Sequence, residues 1–261
     1  MTDWYFTLPF WLSTALVLGG CVAVGVGGRL AAAALLPKRT PRLDTELAAV
    51  LMTVTATFIG IMLAFSAVQV WEAFREADQA VAAEAESAAQ LYRDLRAYGE
   101  GSRPARQALT AYAHSVVDDE WPRMATDGVA SPKTAAALVR VFDALASVEP
   151  VTPRQTVIYD EALTKLNAVV EHRRTRLLAA HTTLPALFWV VVLIGSAIIV
   201  SYTVTYPATP LNLLLIAGLS VSLGLIFVFI IDVQHPFDGW VSISPAEMQG
   251  LPALFAQLDA G

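Results

Sequence analysis

Residues 47–98 contain no proline and a single glycine, Gly60, and no other feature constrains the chain as much. Residues 47–70 carry no charge, whereas the stretch from Glu72 onward is charged and rich in alanine. An unbroken helix of this length would measure roughly 78 Å. A bilayer core is about 30 Å thick, so such a helix would cross the membrane with one half and continue in water with the other. The water-side half calls for a partner helix. Val70, Phe74, Ala77, Val81, Glu84, Ala88, Leu91, Leu95 and Tyr98 keep a 4–3 spacing over four heptads, a coiled-coil-like seam. Glu84 is its one polar intruder.

The rest of the chain supplies three more crossings. Only 15% of residues are charged, against about 25% in a soluble domain. From Leu177 to Ile231 no Asp, Glu, Lys or Arg occurs, and those 55 residues fit two crossings rather than one. The third crossing is expected from Leu184 to about Tyr206 and the fourth from Leu211 to Ile231, joined by the uncharged connector 206–210. The first runs from Phe10 past Arg29 to Leu36. It lacks a positive leader and is followed by Pro37, Lys38 and Arg39, so it reads as a retained helix rather than a cleaved signal. Trp4, Tyr5 and Trp11 suit an interfacial aromatic belt. Arg29 is expected to snorkel to the interface.

The segment 71–183 holds 13 Lys/Arg and 16 Asp/Glu, a mixed and mildly acidic surface that excludes nucleic acid as a partner. After Gly99 and Gly101 end the long helix, helices are expected from Ser102 toward Trp121–Pro122, where the proline kinks or ends it, and from Ser131 to Ser147. Thr152, Pro153 and Gln155 form a capping box that opens the next. Its residues Tyr159, Leu163, Leu166, Val170, Leu177, Ala180 and Leu184 hold near-heptad spacing, broken by Arg173, which makes it the antiparallel mate of the 72–98 seam. A second capping box, Ser244 with Glu247, starts a short helix with Met248, Leu251, Leu254, Phe255 and Leu258 on one side.

The expected fold is therefore an all-α integral membrane protein with four transmembrane helices. A helical extramembrane domain lies between the second and third, and the second helix continues into it. The division is 1–70, a first transmembrane pair; 71–183, a helical stalk; 184–231, a second pair; and 232–261, a C-terminal segment.

Two patterns in the crossings bear on function. Ala15, Gly19, Ala23, Gly27 and Ala31 are each four apart, a small-residue ladder suited to close helix packing, with the second crossing as the expected partner. On the second crossing Thr53, Thr57 and Gly60 belong to a polar-small stripe. Its hydroxyls can bond their own helix, bond a neighbour, or line water. Enzyme chemistry finds no support. The four histidines include no pair at helical spacing, no phosphate-binding or nucleophile motif occurs, and neither cofactor nor metal is expected. Asp118, Asp119 and Glu120 form the densest acidic cluster and could in principle bind a hard cation such as calcium, yet three consecutive helical residues point in different directions and read as a solvated face or a helix-end role. Cys21 is the only cysteine, so no intrachain disulfide is possible. Lys/Arg counts near the crossings do not orient the chain.

Several short motifs recur in one order along the chain. They are Val70, Trp71, Glu72, Ala73 and Phe74 leading into Glu84–Ala85 and Leu91–Tyr92; Asp119, Glu120, Trp121 and Pro122; and Arg173, Thr175 and Arg176. The start of the third crossing, residues 184–189, follows, and then Pro236, Phe237, Asp238 and Gly239 with Ile243, Ser244 and Pro245. In this the chain resembles the bestrophin-like membrane proteins of bacteria. The resemblance implies a homo-oligomer in the bacterial inner membrane around an axial pore passing small anions, with the termini and helical domain in the cytoplasm. A non-conducting scaffold or stress sensor whose helical domain binds partners is the competing expectation.

Overall fold

The computed structural model describes residues 5–6, 8–35, 45–181 and 184–260. Trp4 of the expected aromatic belt and the basic connector with Pro37, Lys38, Arg39, Arg42 and Asp44 lie outside the described residues. Nine α-helices are named here: α1 (Phe10–Leu35), α2 (Thr45–Tyr98), α3 (Arg103–Ser115), α4 (Trp121–Asp127), α5 (Pro132–Ala146), α6 (Pro153–His181), α7 (Ala186–Tyr202), α8 (Pro210–Val233) and α9 (Ala246–Ala260). No β-strand occurs among the described residues. Four of the helices, α1, α2, α7 and α8, are long and apolar enough to span a bilayer. The all-α, four-span architecture expected from the hydropathy is the one observed, and α2 is a single helix of 54 residues.

The chain forms two compact units, Met1–Glu72 with Thr183–Gln234, and Ala73–Thr182 with His235–Gly261. α2 contributes residues 45–72 to the first and 73–98 to the second. In the first unit α1 packs along α8, where glycines set the spacing. A Cβ added at Gly25 would overlap Ser220 Oγ, and one at Gly224 would lie 2.8 Å from Leu18 Cδ2 and 3.3 Å from Cys21 Sγ. Gly195 of α7 does the same for α2, since a Cβ there would overlap the Ile59 side chain. Small residues permit such approaches, and in lipid close packing holds helices together where the hydrophobic effect does not. Arg29 reaches the 206–210 connector at the end of the spans, the direction in which snorkelling would take it. It is buried, and its Nε donates to the Tyr206 carbonyl at 3.0 Å, one of the carbonyls freed where the chain leaves the 3-10 turn Thr203–Thr205 after α7.

The second unit has a conventional hydrophobic core. The α2 seam is its spine. Ala77, Val81, Glu84, Ala88, Leu91 and Leu95 are buried, as the heptad spacing requires. On α6 Leu166 is buried as expected, and Tyr159, Val170, Leu177 and Ala180 pack against the core partly buried. Beside them Ala162 rather than Leu163, which is 37% exposed, and Val169 more deeply than Val170 take the buried positions. The start of α6 is the capping box read from the sequence. The Gln155 amide donates to Thr152 Oγ1 at 3.2 Å, and the Thr152 amide donates to Gln155 Oε1 at 3.2 Å. Thr152→Ala is expected to cost about 1 kcal/mol, read as a lower thermal midpoint of the helical unit. Ser131 caps α5, accepting from the Thr134 amide at 3.1 Å. At the C-terminal helix Ser244 Oγ instead accepts from the Ala246 amide at 3.3 Å, and Leu254, assigned to the apolar side, is 38% exposed.

Pro122 neither ends the helical path nor bends it alone. Proline cannot donate a backbone hydrogen bond. A π-helical segment, Val116–Glu120, precedes it, and the Trp121 amide reaches back to the Val116 carbonyl. Helix then resumes to Asp127 and stops at Gly128, whose φ of 66° only glycine adopts without strain.

Candidate functional site

The π-helical segment matters because of where it leaves Glu120. Of the three consecutive acids, Asp118 is exposed, Asp119 accepts from Ser131 Oγ and pairs with Arg123 at 3.7 Å, and Glu120 is completely buried. A solvated face for all three is therefore incorrect. The extra residue of a π-turn rotates the following side chains off the regular helical phase, and such turns recur at functional sites.

Glu120 meets two arginines of α6. Arg173 Nε donates to Oε2 at 3.1 Å and its Nη2 to Oε1 at 2.5 Å. Arg176 Nη2 donates to Oε2 at 2.8 Å, and the Ser131 amide adds a bond to Oε1 at 3.1 Å. Arg176 also grips Glu84 of α2 in the fork geometry that matches guanidinium to carboxylate, with Nε to Oε2 at 2.7 Å and Nη2 to Oε1 at 3.1 Å. Tyr112 of α3 donates its hydroxyl to Glu84 Oε1 at 2.6 Å. The Met124 sulfur lies 2.9 Å from Arg176 Nη1, and the Trp121 ring covers the guanidinium, 5.6 Å from Cζ to centroid.

Glu84, Glu120, Tyr112 and Arg176 have no exposed surface, and the Arg173 side chain retains 13%. Two glutamates and two arginines balance. Burial alone would push the Glu120 carboxyl up, but Arg173 and Arg176 bond and attract it strongly enough to hold it below the usual carboxylate range. Burial, reinforced by the adjacent Glu84 charge, pushes the Tyr112 hydroxyl well above its usual value. Burial disfavours the Arg176 charge, and Glu84 more than reverses that. The Glu120 carboxyl is therefore held ionised, and both carboxylates are engaged by donors. Such a cluster is not poised to shuttle protons; it locks α2, the α3–α4 bend, the start of α5, and α6 into one register, because any slip strands a buried charge.

The sequence reading took Glu84 and Arg173 as flaws in two apolar seams. In the structure they belong to one polar cross-link between those seams. Short motifs read separately, Glu84–Ala85, Glu120–Trp121 and Arg173 with Arg176, meet there, and Phe237 of the Pro-Phe-Asp-Gly motif stacks edge-on to Trp121 with centroids 5.4 Å apart.

The two membrane patterns lie elsewhere. Ala15, Gly19, Ala23, Gly27 and Ala31 are exposed, and a Cβ at Gly19 or Gly27 would meet nothing within 4 Å. Gly19, Ala23 and Gly27 each stand two residues from Cys21 or Gly25, which face α8, about 200° around the helix. Among the described residues this ladder makes no packing contact with the second crossing at Gly19 or Gly27. Thr53, Thr57 and Gly60 are likewise exposed on α2, whose buried residues in this stretch are Ala48, Leu63, Ser66 and Val70. Thr53 Oγ1 donates to the Ala49 carbonyl at 2.9 Å and Thr57 Oγ1 to the Thr53 carbonyl at 2.8 Å. Of the three uses open to those hydroxyls, this is bonding to their own helix.

The motifs that meet at the buried cross-link also lie within a stretch with a known family pattern. The bestrophin-like domain matches residues 19–248. The chain belongs to the bestrophin-like family. That match runs from the first span through the helical unit to the start of α9, so it includes all four arms of the cross-link. No significant match is found among curated proteins or solved structures. With four spanning helices and this domain, the chain is a multi-pass, bestrophin-like membrane protein.

Proposed function

We propose that the protein is a homo-oligomeric channel for small anions in the bacterial inner membrane, with its termini and helical domain toward the cytoplasm. The division 1–70, 71–183, 184–231 and 232–261 then corresponds to two transmembrane pairs, a stalk and a C-terminal segment. The observation that carries the reading is the exposed Thr53–Thr57–Gly60 face of α2, which no element among the described residues covers. Copies arranged with this face inward would give a narrow pore lined by methyl groups and engaged hydroxyls, and such constrictions need no ring of charge. The exposed α1 ladder, with room beside Gly19 and Gly27, is then a contact for a neighbouring copy.

Reconstitution of the purified chain in planar bilayers tests this. Anion-selective current is expected; Gly60→Leu should abolish it, and Thr53→Val with Thr57→Val should change unitary conductance or selectivity. Current unchanged by all of these substitutions would move the pore off this face. The second reading is a non-conducting scaffold whose helical unit binds partners, for which exposed apolar side chains such as Val139, Val151 and Val157 would be the contact. A dimer without an axial opening in images of detergent-solubilised protein would support the scaffold and count against the channel.

A further inference from the structure

A second group of charges in the helical unit is left unused by the buried cross-link. Arg103, Arg106, Gln107 and Thr110 share one face of α3, and α9 closes the opposite wall with Phe255 and Asp259, leaving a cavity of about 370 Å³. That size lies within the range of small-molecule sites. Phe255 is fixed by stacking on Tyr92, with centroids 4.1 Å apart, and the Tyr92 hydroxyl donates to Asp259 Oδ2 at 2.7 Å.

Arg106 is the informative residue. It is 9% exposed, unlike Arg103 beside it. Its Nη1 donates to Asp259 Oδ1 at 2.6 Å, and its Nη2 only reaches Glu100 Oε1 at 3.5 Å. Its Nε is enclosed and has no hydrogen-bond partner among the described residues. Buried guanidinium donors are ordinarily met, and a donor left unmet is destabilising. The Nε–Nη2 edge is the fork that a carboxylate or phosphate grips with two parallel bonds. Here one donor of that edge is unmet, and the other is held loosely by a glutamate whose side chain is 84% exposed.

We propose that the groove between α3 and α9 binds a small organic anion, a carboxylate or a phosphate monoester. Its head displaces Glu100 and occupies the Nε–Nη2 edge of Arg106, with Arg103 as the second cation. Asp259 keeps Nη1 and holds the guanidinium in place, while Phe255 and Pro252 receive the apolar body of the ligand. The site lies within the helical unit, and its occupancy does not depend on whether the protein conducts.

Calorimetric titration of the full-length, detergent-solubilised protein with phenyl phosphate, benzoate and inorganic phosphate tests the site, with sodium chloride at matched ionic strength as the control. Phenyl phosphate and benzoate are expected to bind and chloride to give no saturable heat; binding of inorganic phosphate alone would remove the apolar wall from the proposal. Glu100→Gln removes the competing carboxylate and should tighten binding several-fold. Arg103→Gln should weaken it by roughly tenfold, and Arg106→Gln should abolish it. Arg103 and Glu100 are exposed, so their variants are expected to fold even where Arg106→Gln does not. Heats indistinguishable from those of chloride, or affinities unmoved by both Glu100→Gln and Arg103→Gln, would overturn the proposal.

Discussion

Replacing Arg176 with methionine is expected to destabilise the helical unit by about 3–5 kcal/mol, the cost of leaving a buried charge without its partner. The side chain has no exposed surface, and its removal leaves Glu84 with the Tyr112 hydroxyl but no cation, and Glu120 with Arg173 alone of its two cations. Arg173→Met should cost less, because the Arg173 side chain retains 13% exposure and Glu120 keeps both Arg176 and the Ser131 amide. Glu84→Leu combined with Arg176→Met should recover part of the single-mutant loss, since no lone charge then remains at that arm. Thermal unfolding followed by circular dichroism measures all three. Equal losses for Arg173→Met and Arg176→Met would contradict the burial difference. The same cluster sets an acid limit. The Glu120 carboxyl titrates lower in the folded protein than its unfolded value near 4.3, so its stabilisation is complete above that pH and is lost as pH falls through the depressed folded value. Glu120→Gln should flatten that acid slope while lowering stability at neutral pH.

The length of α2 and the four spans were legible because absence is a strong local signal: no proline over 52 residues, and no charge over 55. The heptad phase of α2 was legible for the same reason, and residue by residue it was correct from Ala77 to Leu95. The cross-link was not read, although its residues were in view. Glu84 and Arg176 are 92 positions apart, and no local periodicity encodes which polar residue on one seam faces which on another. A usable signal did exist: an acid at a buried heptad position of one helix, and arginines breaking the seam of its expected mate. Two such exceptions on paired helices call for each other, because neither could be buried alone. Glu120 was harder, since its burial depends on a π-turn that hydrophobic periodicity does not announce. Arg106 and Asp259 carried no signal at all, being ordinary surface charges until α9 folds onto α3.

Gly25→Leu is expected to disrupt the first unit, while Gly19→Leu and Gly27→Leu leave it intact, although all three glycines lie on the same apolar helix. The difference is geometric. A side chain at Gly25 must enter the space of Ser220, whose Cβ would lie 3.4 Å from the new Cβ, with Ile216 Cγ2 at 3.5 Å. Ser220 Oγ is bonded to the Ile216 carbonyl at 2.9 Å, so it yields only by giving up that bond or by moving α8. Overpacking of this kind costs about 1–3 kcal/mol even where the neighbours relax. Gly19 and Gly27 face open space, so leucine there should alter protomer stability by less than about 0.5 kcal/mol. The two classes should therefore separate in two measurements. Gly25→Leu is expected to lower the thermal midpoint in detergent, whereas the ladder substitutions are expected to leave that midpoint in place and, in the proposed oligomer, to reduce the particle mass by filling the face offered to a second copy. If Gly19→Leu and Gly27→Leu changed neither midpoint nor mass, the ladder would be a lipid-facing surface and the proposed subunits would have to meet away from α1, for example on α2. If instead Gly25→Leu were tolerated and Gly19→Leu unfolded the protomer, the assignment of the two faces of α1 would be reversed.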